Sequence, residues 1–333
     1  MNHRALGALV ALVVFGLSVP LVSGQAPQAR ANRATGGTIP RTIDGHPDLQ
    51  GFWTNDTLTP LERPTEFGEK AVLTREEAAA YAKKRLAQYL AQPKDDIHYD
   101  DAIWQGENYD KQTTLRTSLV TDPSNGRLPP LTAEGQARAT ARARRGGAAG
   151  PSDSAQTRTL AERCISWGNV GPPMIPPTYY ANMQILQSST QVAIRHELMH
   201  DVRIVHLDGT QQPGSAVQWM AGFSRGRWEG DTFVVETTNF TEETNFRGPP
   251  RTTRQDITTS TQLKVTERFT LVDPDTIRYE FTVNDPATWT RPWSGEIPMR
   301  RIEGPIYEYA CHEGNYGLAN ILRAARAQEA NAR

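Results

Sequence analysis

The stretch LKVTERFTLVDPDTIRYEFTV, residues 263–283, decides the fold. Both of its halves carry apolar side chains at alternate positions, namely Leu263, Val265, Phe269 and Leu271, then Ile277, Tyr279, Phe281 and Val283. A period of two is that of a β-strand with one buried face. Asp273-Pro274-Asp275 lies between the halves and is typical of a turn. The stretch therefore predicts an antiparallel hairpin.

More strands are predicted on the N-terminal side of this hairpin. Residues 223–228 and 232–240 flank Glu229-Gly230-Asp231, whose glycine supplies the positive φ of a second hairpin turn. Further β-prone runs are residues 191–198, 202–207, 297–302 and 306–309. Many short strands joined by turns indicate a sandwich or a barrel. We expect a mainly β fold, an antiparallel β-barrel, with an irregular, partly helical N-terminal extension and a C-terminal helix.

Two helices have recognisable beginnings. Thr74-Arg75-Glu76-Glu77 is a capping box before a run rich in Ala, Lys and Leu that continues to Leu90. Asn315 can cap a last helix over residues 318–330. The domain prediction is then a signal peptide over 1–24, a flexible leader over 25–45, a strap over 46–135, a linker over 136–158 and the barrel domain over 159–333. Residues 136–145 also fit a frayed helix.

The N-terminus predicts export. Met1–Arg4 carries a positive charge, residues 5–22 are apolar, and small residues follow, which is the order of a secretory signal. A membrane anchor is the alternative, although Gly16 and Pro20 weaken it. The formal net charge is -1, which argues against nucleic acid as a partner. We expect a periplasmic or secreted protein with no membrane span after cleavage, and the oligomeric state stays open.

The only two cysteines are Cys164 and Cys311. In an oxidising compartment they can form a disulfide, and two separate buried thiols are the alternative. Neither lies in a CxxC motif, so a redox centre or a zinc knuckle is not indicated.

The string His196-Glu197-Leu198-Met199-His200 matches the HExxH zinc motif, and His206 stands at the spacing of a third ligand. The motif needs a helix, because only there do residues four apart share one face. The β-prone flanks predict two strands and a turn instead. A zinc peptidase with ligands His196, His200 and His206 stays the alternative, and no metal or other cofactor is predicted.

Glu267 is the unusual residue of the first hairpin, because it is in phase with the apolar face. A buried carboxylate needs a partner or must stay protonated. The sequence leaves open whether Glu267 is functional or a paired structural group.

Other polar groups are candidates for proton transfer or ligand binding. The predicted proton-handling residues are Glu267, His200, His312, Glu313, Asp201 and Glu197. The predicted ligand-contacting residues are Trp289, Arg291, Trp293, Arg203, Tyr316 and Asn315. For each set a structural role is the alternative: a salt-bridged turn around Asp201, and a loop fixed to the core by its own tryptophans.

Three strings carry a resemblance, namely WEGDT (228–232), WTRPW (289–293) and YACHEGNY (309–316). Through them the chain resembles a widespread family of exported bacterial proteins of no settled activity, from about residue 45 to the end apart from the linker. The resemblance implies no catalytic residue. The hairpin pattern is also similar to that of lipocalin or calycin barrels, which is an analogy of fold and says little about function.

Three functions remain as hypotheses. The first is an exported barrel that takes up a small organic molecule, and either binds it or transforms it by metal-free acid/base chemistry of lyase or isomerase type. The second is the zinc peptidase. The third is a binding module for glycans or other ligands without turnover.

Overall fold

A computed structural model describes residues 38–90, 114–145, 152–167, 170–176, 180–243, 245–247 and 256–332. The predicted signal peptide and most of the leader lie outside these residues. The strands are β1 Gly51–Thr54, β2 Val120–Asp122, β3 Asn182–Gln187, β4 Gln191–His196, β5 Val202–His206, β6 Phe223–Glu229, β7 Thr232–Thr238, β8 Asn245–Arg247, β9 Asp256–Thr258, β10 Lys264–Asp273, β11 Thr276–Asn284 and β12 Trp293–Ile302. The helices are α1 Arg75–Leu90, α2 Ala133–Arg145 and α3 Tyr316–Asn331.

Nine of the strands close into a barrel, in the order β1-β3-β4-β5-β6-β7-β10-β11-β12, because β1 also pairs with β12. All neighbours in this ring are antiparallel except β5 and β6, which are parallel. β2 adds to β12 outside the ring, and β8 and β9 form a separate pair. The expected mainly β barrel with a C-terminal helix is therefore confirmed, with one parallel contact that the expectation did not include.

The two ends of the barrel differ. The closed end carries short turns, at residues 188–190, at Gly230-Asp231 and at Pro274-Asp275. The mouth, where β1, β4 and β11 end, carries longer connections, including residues 197–201 and 285–292. The chain between β1 and β3, which contains α1, β2 and α2, also leaves and re-enters the barrel at the mouth. The mouth is therefore the end at which additional structure is attached.

Aromatic side chains occupy the inside of the barrel. Ring centroids lie 5.0 Å apart for Phe269 and Tyr279, 5.6 Å for Tyr279 and Phe281, and 5.6 Å for Phe281 and Trp293. Tyr279 and Trp293 have no exposed surface. These residues point inward because they alternate with polar ones along β11 and β12.

Most of the local predictions are confirmed. The 263–283 stretch is the β10–β11 hairpin, and β6 and β7 form the second hairpin around Gly230, whose φ is +59°. Thr74 and Glu77 exchange both hydrogen bonds of the capping box. Asn315 caps α3 by accepting from the Leu318 N–H.

Other expectations need correction. β1 closes the barrel but lies inside the predicted strap, so the barrel does not begin at residue 159. Ala133–Arg145 is helical, which agrees with the frayed-helix alternative for the first part of the predicted 136–158 linker. Residues 306–309 form no strand. Among the described helices, none has both the length and the apolar content that crossing a membrane requires.

Candidate functional site

Glu267 lies inside the barrel and has no exposed surface. Arg203 on β5 donates to both of its oxygens, with Nη1 at 2.6 Å from Oε2 and Nη2 at 3.0 Å from Oε1. The Tyr279 hydroxyl donates to Oε1 at 2.8 Å. The carboxylate that the sequence placed on the apolar face therefore has a buried cation and a hydroxyl as partners, and its acceptor capacity is largely used.

Burial and a neighbouring charge both shift the pKa values of Arg203 and Tyr279. Burial alone lowers the pKa of Arg203, but the adjacent charge of Glu267 raises it above its ordinary value. Burial raises the pKa of Tyr279 well above the usual phenol range, and the charge of Glu267 adds to the effect. Tyr279 therefore stays protonated, and the group of Arg203, Glu267 and Tyr279 is electrically neutral as a whole.

The segment 170–176 contacts this group through Met174. Met174, which is fully buried, donates its N–H to the Tyr279 hydroxyl at 2.9 Å. Its carbonyl accepts from Asn55 Nδ2 at 2.8 Å, and its sulfur lies 4.0 Å from Arg203 Nη2. Met174 thus links Asn55, just after β1, to the buried ion pair.

His196 is the last residue of β4 and points inward, in phase with Val192 and Ile194. Only 7% of its surface is exposed, and its Nε2 has no hydrogen-bond partner in the described part of the chain. Burial lowers the pKa of His196 to about 3, and the positive charge of Arg203 contributes. The imidazole is therefore neutral at physiological pH and has an unused polar atom.

Two other atoms of this region are buried without a partner among the described residues. They are Asn55 Oδ1, an acceptor, and Arg203 Nε, a donor. A buried polar atom with no partner costs on the order of 1–3 kcal/mol. Three such atoms around Met174 and the end of β4 mark this part of the mouth as a candidate binding site.

Glu197 has a different role. It is buried; its Oε2 accepts from Asn182 Nδ2 at 2.8 Å and its Oε1 from the Tyr307 N–H at 3.0 Å. It therefore ties the segment after β12 to the start of β3. The Cys164–Cys311 disulfide, which confirms the predicted bridge, fastens the same segment a few residues further on.

The backbone beside His196 holds unusual conformations. Met199, Tyr180 and Cys164 have φ values of 63°, 55° and 55° without being glycine. All three belong to one small apolar cluster, which also contains Leu198 and the partly buried Cys311. The left-handed region costs a non-glycine residue roughly 1–2 kcal/mol. Strain of this kind concentrates at functional sites, which again points to the mouth.

The zinc alternative requires three histidines close together, and two of them lie far apart. His196 lies at the mouth, whereas His206 pairs with Gln191 at the other end of the same two strands. Five residues of strand separate the two levels, roughly 16 Å at about 3.3 Å per residue. His200 lies in the short turn Leu198–His200, which confirms the predicted strand–turn–strand reading, and its side chain is outside the described parts. No three His, Cys, Asp or Glu side chains in the described ranges are arranged to hold a metal ion.

The predicted aromatic rim is not an accessible surface. Trp289 and Trp293 are 2% and 0% exposed and lie 5.8 Å apart in the core, which corrects the prediction that they stack on a ligand and agrees with the alternative of a loop fixed by its tryptophans. Arg291 is exposed and pairs with Asp122.

The C-terminal candidates lie apart from the ion pair inside the barrel. His312, Glu313 and Tyr316 are exposed beside the disulfide. Asn315 donates to the Glu162 carbonyl at 3.1 Å in addition to capping α3, so its amide is a structural connection. Asp201 is half-buried, and its carbonyl accepts from the His196 N–H at 2.8 Å.

Sequence reasoning missed Asn55 and Met174 and considered His196 only as a zinc ligand. The alternation of Val192, Ile194 and His196 was a readable indication that this histidine faces inward. Nothing comparable identified Asn55, which follows a short strand that the sequence did not predict. Comparisons of the chain with models of protein families, with curated proteins and with solved structures found no match.

Proposed function

We propose that this chain is an exported β-barrel protein that binds a small, uncharged organic molecule at the mouth of its barrel. The unpartnered Nε2 of the buried His196 carries the proposal, because it offers a polar contact that the described part of the chain leaves unused. The mouth of a β-barrel is also a common place for a ligand site. The disulfide fits the oxidising compartment that export implies.

The charges inside the barrel favour an uncharged ligand. Arg203 and Glu267 neutralise each other at 2.6 Å, and the low pKa of His196 keeps its ring neutral. A charged ligand would lose its hydration without meeting an unpaired counter-charge, which is costly in an apolar interior. A compound with a hydroxyl, amide or carbonyl group loses less hydration free energy when it enters.

The unused atoms define the polar contacts of such a ligand. Arg203 Nε can donate, Asn55 Oδ1 can accept, and His196 Nε2 can do either according to its tautomer. A ligand that carries both a donor and an acceptor would satisfy these atoms. The remainder of the contact would be apolar, since Met174 and the barrel aromatics surround the polar group.

Binding without turnover is better supported than acid/base catalysis. An effective general base has a pKa near the working pH, and the pKa of His196, about 3, is far below neutrality. Glu267 already accepts from Arg203 and Tyr279, so it could take a proton only by giving up part of the ion pair. Among the described groups inside the barrel, the lyase or isomerase hypothesis is therefore left with a weak base, His196, and a carboxylate that is already hydrogen-bonded, Glu267.

A ligand screen with two histidine variants tests the proposal. Uncharged amides, phenols and sugars, with carboxylate and ammonium analogues of the same size, would be screened against the mature chain by saturation-transfer NMR. We expect uncharged compounds to bind and His196→Gln to weaken them by about tenfold, the value of one lost hydrogen bond.

His206→Gln is the matched control, because His206 lies on the adjacent strand at the opposite end of the barrel. It should leave the affinity unchanged. A preference for the charged analogues, or equal losses in the two variants, would contradict the proposed site.

A further inference from the structure

The outer wall of the barrel over β3, β4 and β5 is unusual for an exposed sheet face. Its side chains alternate with the inward ones, and the outward positions are Asn182, Gln184, Leu186, Gln191, Ala193, Arg195, Val202, Ile204 and His206. None of these residues is acidic. Leu186, Val202 and Ile204 are 48%, 49% and 39% exposed. We call this surface the β3–β5 wall.

The exposed apolar side chains on this wall are neighbours. Leu186 pairs with Ala193, and Ala193 pairs with Ile204, so the three form one row across the sheet. Side chains in such cross-strand pairs stand about 5 Å apart. The row is therefore a continuous strip, unlike single exposed aliphatic residues, which are common on any protein.

Trp219 extends the strip beyond β5. Val205 is aligned with Ser224 in the parallel pair, which places Phe223 next to Ile204 on the outside. The Trp219 ring packs on Phe223 with centroids 5.6 Å apart and is 39% exposed.

The backbone holds Trp219 in this exposed position. Its N–H donates to the Asn239 carbonyl at 2.9 Å, and its carbonyl accepts from the Thr241 N–H at 3.1 Å. The Asn239 side chain donates to the Val217 carbonyl at 2.8 Å and so fixes the chain just before Trp219. An indole held partly in water by a fixed backbone is arranged for contact with something else.

Positive charge lies beside the strip. Arg195 on β4 and Arg225 on β6 face outward, and among the described residues neither is within ion-pair distance of a carboxylate, although Arg225 is aligned with Glu236 in the β6–β7 pair. The neighbouring wall is different, because there Arg227 and Arg268 both pair with Glu229, and Lys264 pairs with Glu236. The apolar strip thus has an arginine within the β3–β5 wall, Arg195, and a second at its edge on β6, Arg225.

We propose that the β3–β5 wall docks reversibly on the surface of a bilayer that contains anionic phospholipid. Such a surface supplies negative headgroups for Arg195 and Arg225 and an apolar layer for Leu186, Ile204 and Trp219. A second copy of this chain fits less well, since an isologous contact would present the same wall, which has no acidic residue to meet the arginines. The ligand site at the mouth is not part of this inference.

Vesicle flotation with the full mature chain tests the docking. We expect binding to phosphatidylglycerol–phosphatidylcholine vesicles, weak binding to pure phosphatidylcholine, and release by 0.5 M salt. Reversal of each arginine, in Arg195→Glu and Arg225→Glu, should lower the partition coefficient by at least about fivefold. Ile204→Glu should lower it by a similar amount.

Matched controls lie on the other walls. Val272→Glu replaces an aliphatic residue of similar exposure, 46%, and Arg278→Glu reverses an exposed arginine on β11. Both controls should keep wild-type binding, and circular dichroism would establish that every variant is folded. Equal binding to the two lipid mixtures, equal loss in the controls, or a dimer in light scattering that Ile204→Glu dissociates would overturn the proposal.

Discussion

The two ends of the barrel differ in their connections and in the contacts of their side chains. At the closed end short turns join the strands, Arg41 pairs with Asp231, and the His46 ring stacks on Trp228 with centroids 4.6 Å apart. Beside the mouth lie the disulfide, the left-handed backbone of Met199, and the Nε2 of His196, which has no hydrogen-bond partner among the described residues. The comparison teaches that short regular turns gather at one end and left-handed non-glycine backbone beside the other, whereas buried ring nitrogens without a partner among the described residues occur at both, on His206 and His196.

Removing the disulfide is expected to have the largest effect on stability, and to increase local opening more at the mouth than at the closed end. The bridge joins residues 147 apart, and the chain-entropy model gives about 5 kcal/mol for a loop of that length. We expect Cys164→Ser/Cys311→Ser to lower the free energy of unfolding in urea by up to this amount.

Hydrogen exchange shows where the change acts. It should accelerate in residues 197–201 and stay unchanged at the Gly230 turn. Equal acceleration at both ends would remove the distinction between them.

The buried ion pair lies between the two ends, and breaking it comes next in size. Arg203→Met leaves Glu267 buried with Tyr279 as its remaining partner, at a cost of about 3–5 kcal/mol in urea denaturation. Arg203→Met combined with Glu267→Leu removes both charges and should recover most of the loss. A double variant as unstable as the single one would mean that this layer of the barrel requires polar groups. Arg227→Met, in an exposed ion pair, should change stability by less than about 1 kcal/mol.

The smallest expected effect is a pH dependence of stability that comes from His196. The pKa of His196 is about 3 in the folded chain and 6.5 in the unfolded chain, so below pH 6.5 only the unfolded chain gains this proton. Stability therefore falls as the pH falls, by roughly 1 kcal/mol per pH unit, and by about 2 kcal/mol at pH 5.

Urea titrations at pH 7 and pH 5 would measure this loss. His196→Gln should abolish most of it, and His206→Gln should retain it. The same loss in both variants would assign the effect to other groups.

Local patterns were sufficient for much of the fold. The alternation in residues 263–283, the glycine turn at Gly230 and the two helix caps depend on residues close together in the chain, and all are confirmed. β1 was missed because it has only four residues and joins strands far away in sequence. The parallel contact of β5 and β6 was missed for the same reason, since no local pattern reports which distant strands meet.

The candidate site was predictable only in part. Alternation placed Glu267 inside, but its partner Arg203 lies 64 residues earlier and reaches it across the barrel. Asn55 and Met174 come from the connection at the mouth, where irregular chain follows no period. The disulfide was readable, because a chain with two cysteines allows only one intramolecular pairing.

The strand count itself has a consequence. Around a closed ring, strand directions can alternate everywhere only when the number of strands is even, and this ring has nine. An odd ring forces one mismatch of direction, and here the mismatch falls between β5 and β6. Resolving it requires the chain from Leu207 to Gly222 to turn back, so that β6 starts level with Ile204 and runs in the same direction as β5. Because the number of strands is odd, the chain needs this connection, and the connection places Trp219 on the outside of the barrel.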